Sequence, residues 1–149
     1  MSPATSDLNA FFSQDHRDCD ALWAKAEQAA DGDPAAAKEA FQAFDRAMRR
    51  HLAMEEEVLF PAFEGAGGMP GGCGPTFVMR QEHEQMRGVL DAIADAVEAG
   101  DLNEALDQGD TLLMLIQQHN LKEEGVLYPM AAGVLGGEWP ALLERLAAY

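Results

Sequence analysis

The segment His51-x-x-x-Glu55-Glu56-x-Val58-Leu59-Phe60-Pro61 returns 68 residues later as His119-x-x-x-Glu123-Glu124-x-Val126-Leu127-Tyr128-Pro129. A chain that repeats itself in this way folds as two like halves. A shift of 67 residues also lays Gln14-Asp15-His16 on Gln81-Glu82-His83. The first half therefore predicts the second, and the stretch from Gly65 to Pro75, too rich in glycine for regular structure, joins them.

Apolar residues recur at alternating spacings of three and four along four long segments, with few β-branched residues and no strand pattern, which is helical periodicity. The first helix is expected from about Ser6 to Asp31, closed by Gly32. Asp33 as cap and Pro34 at the first helical position start a second, running to about Phe63. Pro75-Thr76 pre-sets a third, to about Ala99. Asp101, with Glu104 three residues on, caps a fourth that continues to about Ala132. A short amphipathic tail, Pro140 to Ala148, packs Leu142, Leu143 and Leu146 on the rest. Short turns between long helices imply an all-α fold: an antiparallel up-down-up-down four-helix bundle with a pseudo-twofold repeat and a short C-terminal helix. At 149 residues the chain fits one domain, 1–149, long enough to bury roughly 68–70% of its unfolded surface.

The heptad phase says where the repeated polar residues point. Helix two aligns Phe44, Met48, His51, Glu55, Val58 and Ala62 on one stripe, and helix four aligns Leu112, Ile116, His119, Glu123, Val126 and Met130. Helix three carries Met79, His83, Met86, Leu90, Ile93 and Val97, and helix one approximates the pattern with Leu8, Phe12, His16, Cys19, Trp23 and Ala26. All four histidines lie on inner stripes; with two core-facing positions per heptad, chance gives this roughly once in 150. Glu55 and Glu123 share those stripes, where an uncompensated buried carboxylate costs several kcal/mol and no Lys or Arg is at hand. A cation is the natural compensation. Imidazole with carboxylate suits iron, manganese or zinc, and His at i with Glu at i+4 puts both on one helix face. Six ligands exceed the closed set of a structural zinc and fit two metals: His16 and His51 on one, His83 and His119 on the other, Glu55 and Glu123 shared, with open positions on each.

Composition narrows the partners. Ten Lys+Arg against 26 Asp+Glu give a net charge of −16, which repels phosphate backbones and anionic lipid surfaces, so neither nucleic acid nor membrane is an expected partner. The longest strongly apolar run, Leu112 to Ile116, is far below a bilayer span, and Met1 to Phe12 lacks the basic start and apolar middle of a signal peptide; a cytoplasmic protein is expected. Cys19 and Cys73 have no Cys-x-x-Cys spacing and read as reduced thiols.

The pattern His…His-x-x-x-Glu…His…His-x-x-x-Glu, met by His16, His51, Glu55, His83, His119 and Glu123, resembles that of the hemerythrin-like HHE cation-binding family over nearly the whole chain. The resemblance implies an antiparallel four-helix bundle with a non-heme, carboxylate-bridged centre of two iron ions that binds or senses dioxygen or another small ligand such as nitric oxide or peroxide. Two positions depart from the oxygen-carrying hemerythrins: Arg87 stands where they have a fifth histidine, four residues after His83, and Glu123 lies four residues after His119 where they have an Asp at five. The same set is similar to that of di-iron proteins that repair oxidatively or nitrosatively damaged iron centres, without their cysteine-bearing N-terminal module. A di-iron enzyme or repair factor and a metal-stabilised structural module are the other readings; the redox partner is unknown.

The remaining polar candidates read as ordinary residues. Cys19 is expected as a small buried thiol, Asp20 as a solvated acid and Glu56 and Glu124 as helix flanks. Arg87 begins one turn from His83 and is either a surface cation or a partner for a site carboxylate. Pro61 and Pro129 predict a kink or an end. Trp23 reads as core.

Overall fold

The computed structural model describes residues 7–67 and 74–149. The expected first turn at Ser6, Cys73 and most of the Gly/Pro joint lie outside the described residues. Every described element is helical. Asp7 caps α1 (Leu8–Ala29), its side chain accepting from the Ala10 N–H. Asp33 does the same for α2 (Pro34–Met54) through the Ala36 N–H. A π-helical turn (Glu55–Leu59) follows without a break and leads into α3 (Phe60–Gly65). In the second half, α4 (Gly74–Glu98) ends before Gly100, whose φ of 76° is the left-handed stop that the sequence predicts. Asp101 caps α5 (Leu102–Lys122) through the Glu104 N–H. A second π-helical turn (Glu123–Leu127) passes into α6 (Tyr128–Leu135), and the tail forms α7 (Trp139–Leu146). Pairing follows the repeat: α1 packs on α2, α4 on α5, and the halves meet through α2 with α4 and α1 with α6.

The two π-helical turns are the local answer to Pro61 and Pro129. A proline inside a helix offers no N–H and pushes on the carbonyl four residues back. Here the chain inserts one residue ahead of each, so that the Phe60 N–H donates to the Glu55 carbonyl and the Tyr128 N–H to the Glu123 carbonyl, both five residues back. Neither helix ends or breaks off at its proline.

The extra residue turns everything after it by about 100°. The expected stripe is therefore corrected beyond the glutamates: Val126 is 53% and Met130 43% exposed, whereas Leu127, Tyr128 and Ala131 are buried. In the first half Ala62 is half-buried, and Leu59 and Phe63 take the inner positions, although Val58 also remains buried. All other stripe residues named above are buried as expected. The apolar interior divides into two clusters either side of the histidines, one around Phe12, Met54, Phe60, Phe63 and Tyr128, the other around Trp23, Phe41, Phe44, Met86 and Leu90. Leu142 and Leu146 of α7 join the first, with Leu143 at its edge.

Gly109 shows how closely α5 approaches α1. A Cβ there would lie 2.1 Å from two carbons of the Trp23 indole, and that ring is held edge-on between Phe41 at 5.6 Å and Phe44 at 5.0 Å. Gly109→Ala is expected to destabilise the protein by about 1–3 kcal/mol, because the overpacking outweighs the ~1 kcal/mol helix propensity gained. Thermal melts check this; an unchanged or raised Tm means that Trp23 can swing aside.

Candidate metal centre

Six buried side chains converge between the apolar clusters, one from each of four helices and one from each π-helical turn. His16 comes from α1, His51 from the last turn of α2, His83 from α4 and His119 from the last turn of α5; Glu55 and Glu123 open the two π-helical turns. Glu55, His83 and Glu123 are completely buried, and His16, His51 and His119 nearly so. Ligand atoms of Glu55, His83, His119 and Glu123 all lie within 4.8 Å of one another, and those of His16, His51 and Glu123 do the same. The histidines divide as the pseudo-twofold predicts, but of the two glutamates expected to be shared only Glu123 is common to both sets, Glu55 falling with His83 and His119.

The carboxylates span the two sets. Glu123 places Oε1 3.0 Å from His16 Nε2 and Oε2 3.1 Å from His119 Nε2. Glu55 Oε1 lies between the pairs, 3.4 Å from His51 Nε2 and 3.2 Å from His83 Nε2.

Behind each imidazole stands a second carboxylate. His16 Nδ1 is 2.7 Å from Glu124, His51 Nδ1 2.7 Å from Asp15, His83 Nδ1 2.6 Å from Glu56, and His119 Nδ1 2.8 Å from Glu82. An Nδ1–H donated to a carboxylate fixes the ring and turns the Nε2 lone pair inward, the arrangement by which proteins hold metal-binding histidines. The partners obey the internal repeat: Asp15 and Glu82 precede their own helices' histidines, and Glu56 and Glu124 follow the inner glutamates. The sequence expectation for Glu56 and Glu124 as flanks is thus half right. Both are only partly buried, and both reach sideways to a histidine of another helix.

Three of these carboxylates carry a cation on their outer side. Arg87 Nη2 is 2.8 Å from Glu56, Lys122 pairs with Glu82, and Arg50 is 3.7 Å from Asp15. Arg87 also bonds Glu84, so it acts on His83 through Glu56 and does not face the centre. Among the described residues no cation pairs with Glu124. Cys19 is an apolar-cluster thiol, pushed up to about 12 by burial and then by the charge of Asp15; Asp20 is exposed. Neither belongs to the converging sets.

The interior atoms behave as an incomplete charge set. Burial alone would hold His51 and His83 neutral, but the Glu55 charge and the Asp15 hydrogen bond raise His51 to about 10, and the close Glu55 carboxylate with the Glu56 hydrogen bond raises His83 to about 9. His119 is raised as well, chiefly by Glu123 against its burial. Glu55 is held well below the usual carboxylate range, the His51 charge and hydrogen bonds outweighing burial. Even so, His51 Nε2, Glu55 Oε1 and Glu123 Oε2 make no hydrogen bond of proper geometry, and His83 Nε2 faces His119 Nε2 at 3.3 Å. Buried polar atoms left unpaired and aimed at one point are what a metal ion would satisfy, so these residues fit the cation that the sequence predicts.

Sequence reasoning placed all six of these side chains and missed Tyr128. Its completely buried hydroxyl donates to Glu55 Oε2 at 2.7 Å and lies 3.0 Å from Glu123 Oε1 and 3.1 Å from His16 Nε2. Burial and then the two glutamates push this phenol well above its ordinary value. The signal was present in the repeat, since Tyr128 is the counterpart of Phe60, a Phe that stacks on His83 at 5.5 Å. A small cavity of about 10 Å³, lined by His16, Cys19, Met48, His51, Met86 and Ile116 among others, adjoins the site and has room for about one water-sized ligand.

No curated protein and no solved structure matched the chain. The model of the hemerythrin HHE cation-binding domain matches residues 7–131, a span holding all six converging side chains, their four carboxylate partners and Tyr128. With a match over most of its length, and with His16, His51, Glu55, His83, His119 and Glu123 gathered in two buried sets inside the matched span, the chain belongs to the hemerythrin HHE cation-binding domain family.

Proposed function

We propose that this protein holds two non-heme iron ions within an antiparallel up-down-up-down four-helix bundle, and that the centre binds or senses dioxygen. His16 and His51 hold one ion, His83 and His119 the other, and Glu55 and Glu123 bridge them. The observation that carries the reading is the pair of buried ligand sets sharing Glu123, with unpaired atoms directed between them. Iron in such a site supplies redox chemistry and an open position for a small molecule. The protein's own part is to hold four imidazoles in one tautomer, to span the ions with two carboxylates, and to wall the adjoining cavity with Met48, Met86 and Ile116. That cavity has room for about one water-sized molecule beside the ligands. Among the described residues no helix is long and apolar enough to cross a membrane.

A second reading, reaction with nitric oxide or peroxide or repair of damaged iron centres, is favoured by Arg87. Its guanidinium cannot replace the fifth histidine of the oxygen carriers, which leaves one more position open for reaction. Stopped-flow mixing of the reduced, iron-loaded protein with oxygen separates the two. A lasting oxygenated spectrum that reverses under vacuum supports binding, and immediate irreversible oxidation supports turnover. One tightly held zinc per chain, with no iron taken up, overturns both.

A further inference from the structure

We infer that Tyr128 is a ligand of the metal held by His16 and His51, so that the two halves of the centre differ although the sequence repeat is nearly symmetric; the inference rests on the two-metal reading above. The converging sets are unequal, with four side chains around His83 and His119 but three around His16 and His51. Tyr128 lies on the poorer side. Its oxygen is 3.1 Å from His16 Nε2, 3.0 Å from Glu123 Oε1 and 2.7 Å from Glu55 Oε2. Two neighbouring ligand atoms, each about 2.1 Å from one metal at right angles, lie about 3.0 Å apart. The phenol oxygen therefore stands to His16 and Glu123 as one ligand stands to the next, while Glu55, bonded to it through Oε2, keeps Oε1 3.2 Å from His83 and 3.4 Å from His51.

Among the described residues the opposite half shows no such phenol oxygen. Phe60, the repeat counterpart, places a bare ring against His83 at an interplanar angle of 27°, whereas the Tyr128 ring sits 5.6 Å from His16 at 30°. The rings occupy matching places and differ by one hydroxyl. The outer contacts lean the same way, since among the described residues Glu124, behind His16, has no cation to draw off its charge, while Glu56, behind His83, is paired with Arg87. An anionic oxygen and an uncompensated carboxylate both favour the higher-valent ion on the His16 side. On binding, the Tyr128 O–H bond breaks, the proton leaves to solvent, and the oxygen's electron pair forms the bond to the metal, with no change of oxidation state.

The test uses the full chain loaded with ferric iron, wild type beside Tyr128→Phe, with iron per chain measured in both. Phe is accommodated at the counterpart position, so the variant removes one oxygen and little packing. Wild type is expected to show a visible phenolate-to-iron charge-transfer band and, under excitation in that band, resonance Raman modes of a coordinated tyrosinate; the variant keeps its iron and loses both. Ring-deuterated tyrosine in wild type shifts those modes, which gives the answer even if the variant folds poorly. The chain has only two tyrosines, and Tyr149 is exposed and bonded to Glu57. Iron-loaded wild type without the band, or a variant that retains it, overturns the inference while leaving the metal centre standing. Wild type that takes up no iron overturns the centre and the inference together.

Discussion

Glu123→Ala is expected to lower bound metal from about two ions per chain to less than one, a larger loss than any single histidine substitution at the site. Glu123 is the one side chain common to both converging sets, with an oxygen near a histidine of each pair. Its removal takes a ligand from both positions and leaves Glu55 alone against four imidazoles. His119→Ala takes one ligand from one position, so it is expected to weaken that ion and largely spare the other. Glu56→Gln should act more mildly, since losing an outer partner of a metal-binding histidine typically costs about 10–100-fold in affinity. Metal analysis after equilibration with ferrous iron under anaerobic conditions ranks the three. If Glu123→Ala retains the metal of wild type, the shared position of Glu123 does not hold the ions.

Acidity should move the metal-free and metal-loaded proteins in opposite directions. In the metal-free fold His51 and His83 are raised to about 10 and about 9 from 6.5, so both keep a proton that the unfolded chain gives up at neutral pH. Their stabilisation is complete below about 6.5 and fades as pH rises through 9 to 10. Glu55 works the other way. Lowered well below its ordinary 4.5, it contributes above that value and fades as pH falls. The metal-free protein is therefore expected to be most stable between about 4.5 and 6.5 and to melt at falling temperature from pH 7 to 10.

A metal needs neutral imidazoles, so loading near pH 7 should expel about two protons per chain from His51 and His83, and one more where the Tyr128 phenol ligates. Affinity should rise with pH across the range in which the metal-free protein weakens. Melting curves of both forms, with calorimetry in two buffers of different ionisation heat, check the pair of trends. Metal kept at pH 4 with no loss of structure, or a metal-free Tm that climbs from pH 7 to 10, contradicts the account.

The helices were legible because their signals are local. Asp7 was not read as a cap, but Asp33-Pro34, Gly100 and Asp101 mark boundaries where helices α2, α4 and α5 start or stop. The six converging residues were legible because period and repeat put them on inner stripes, and burial without a counter-charge demands an explanation. Arg87 was half legible: one turn from His83 is correct, but its guanidinium turns outward to Glu56 and Glu84.

What the chain determines by itself is everything that depends on spacing along one helix: which residues share a face, where a helix can begin, and which polar groups face inward. Spacing holds only while the helical period holds. Pro61 and Pro129 break it by one residue, and that slip carries Val126 and Met130 to the surface and brings Tyr128 inward to Glu55, 73 positions back in sequence. The pairing of Glu124 with His16 and of Glu56 with His83 likewise joins different helices. Such contacts depend on the rotation of one helix against another, which only the packed structure sets, because a hydrogen bond across helices is decided by a few tenths of an ångström while a sequence pattern resolves no finer than a helix face.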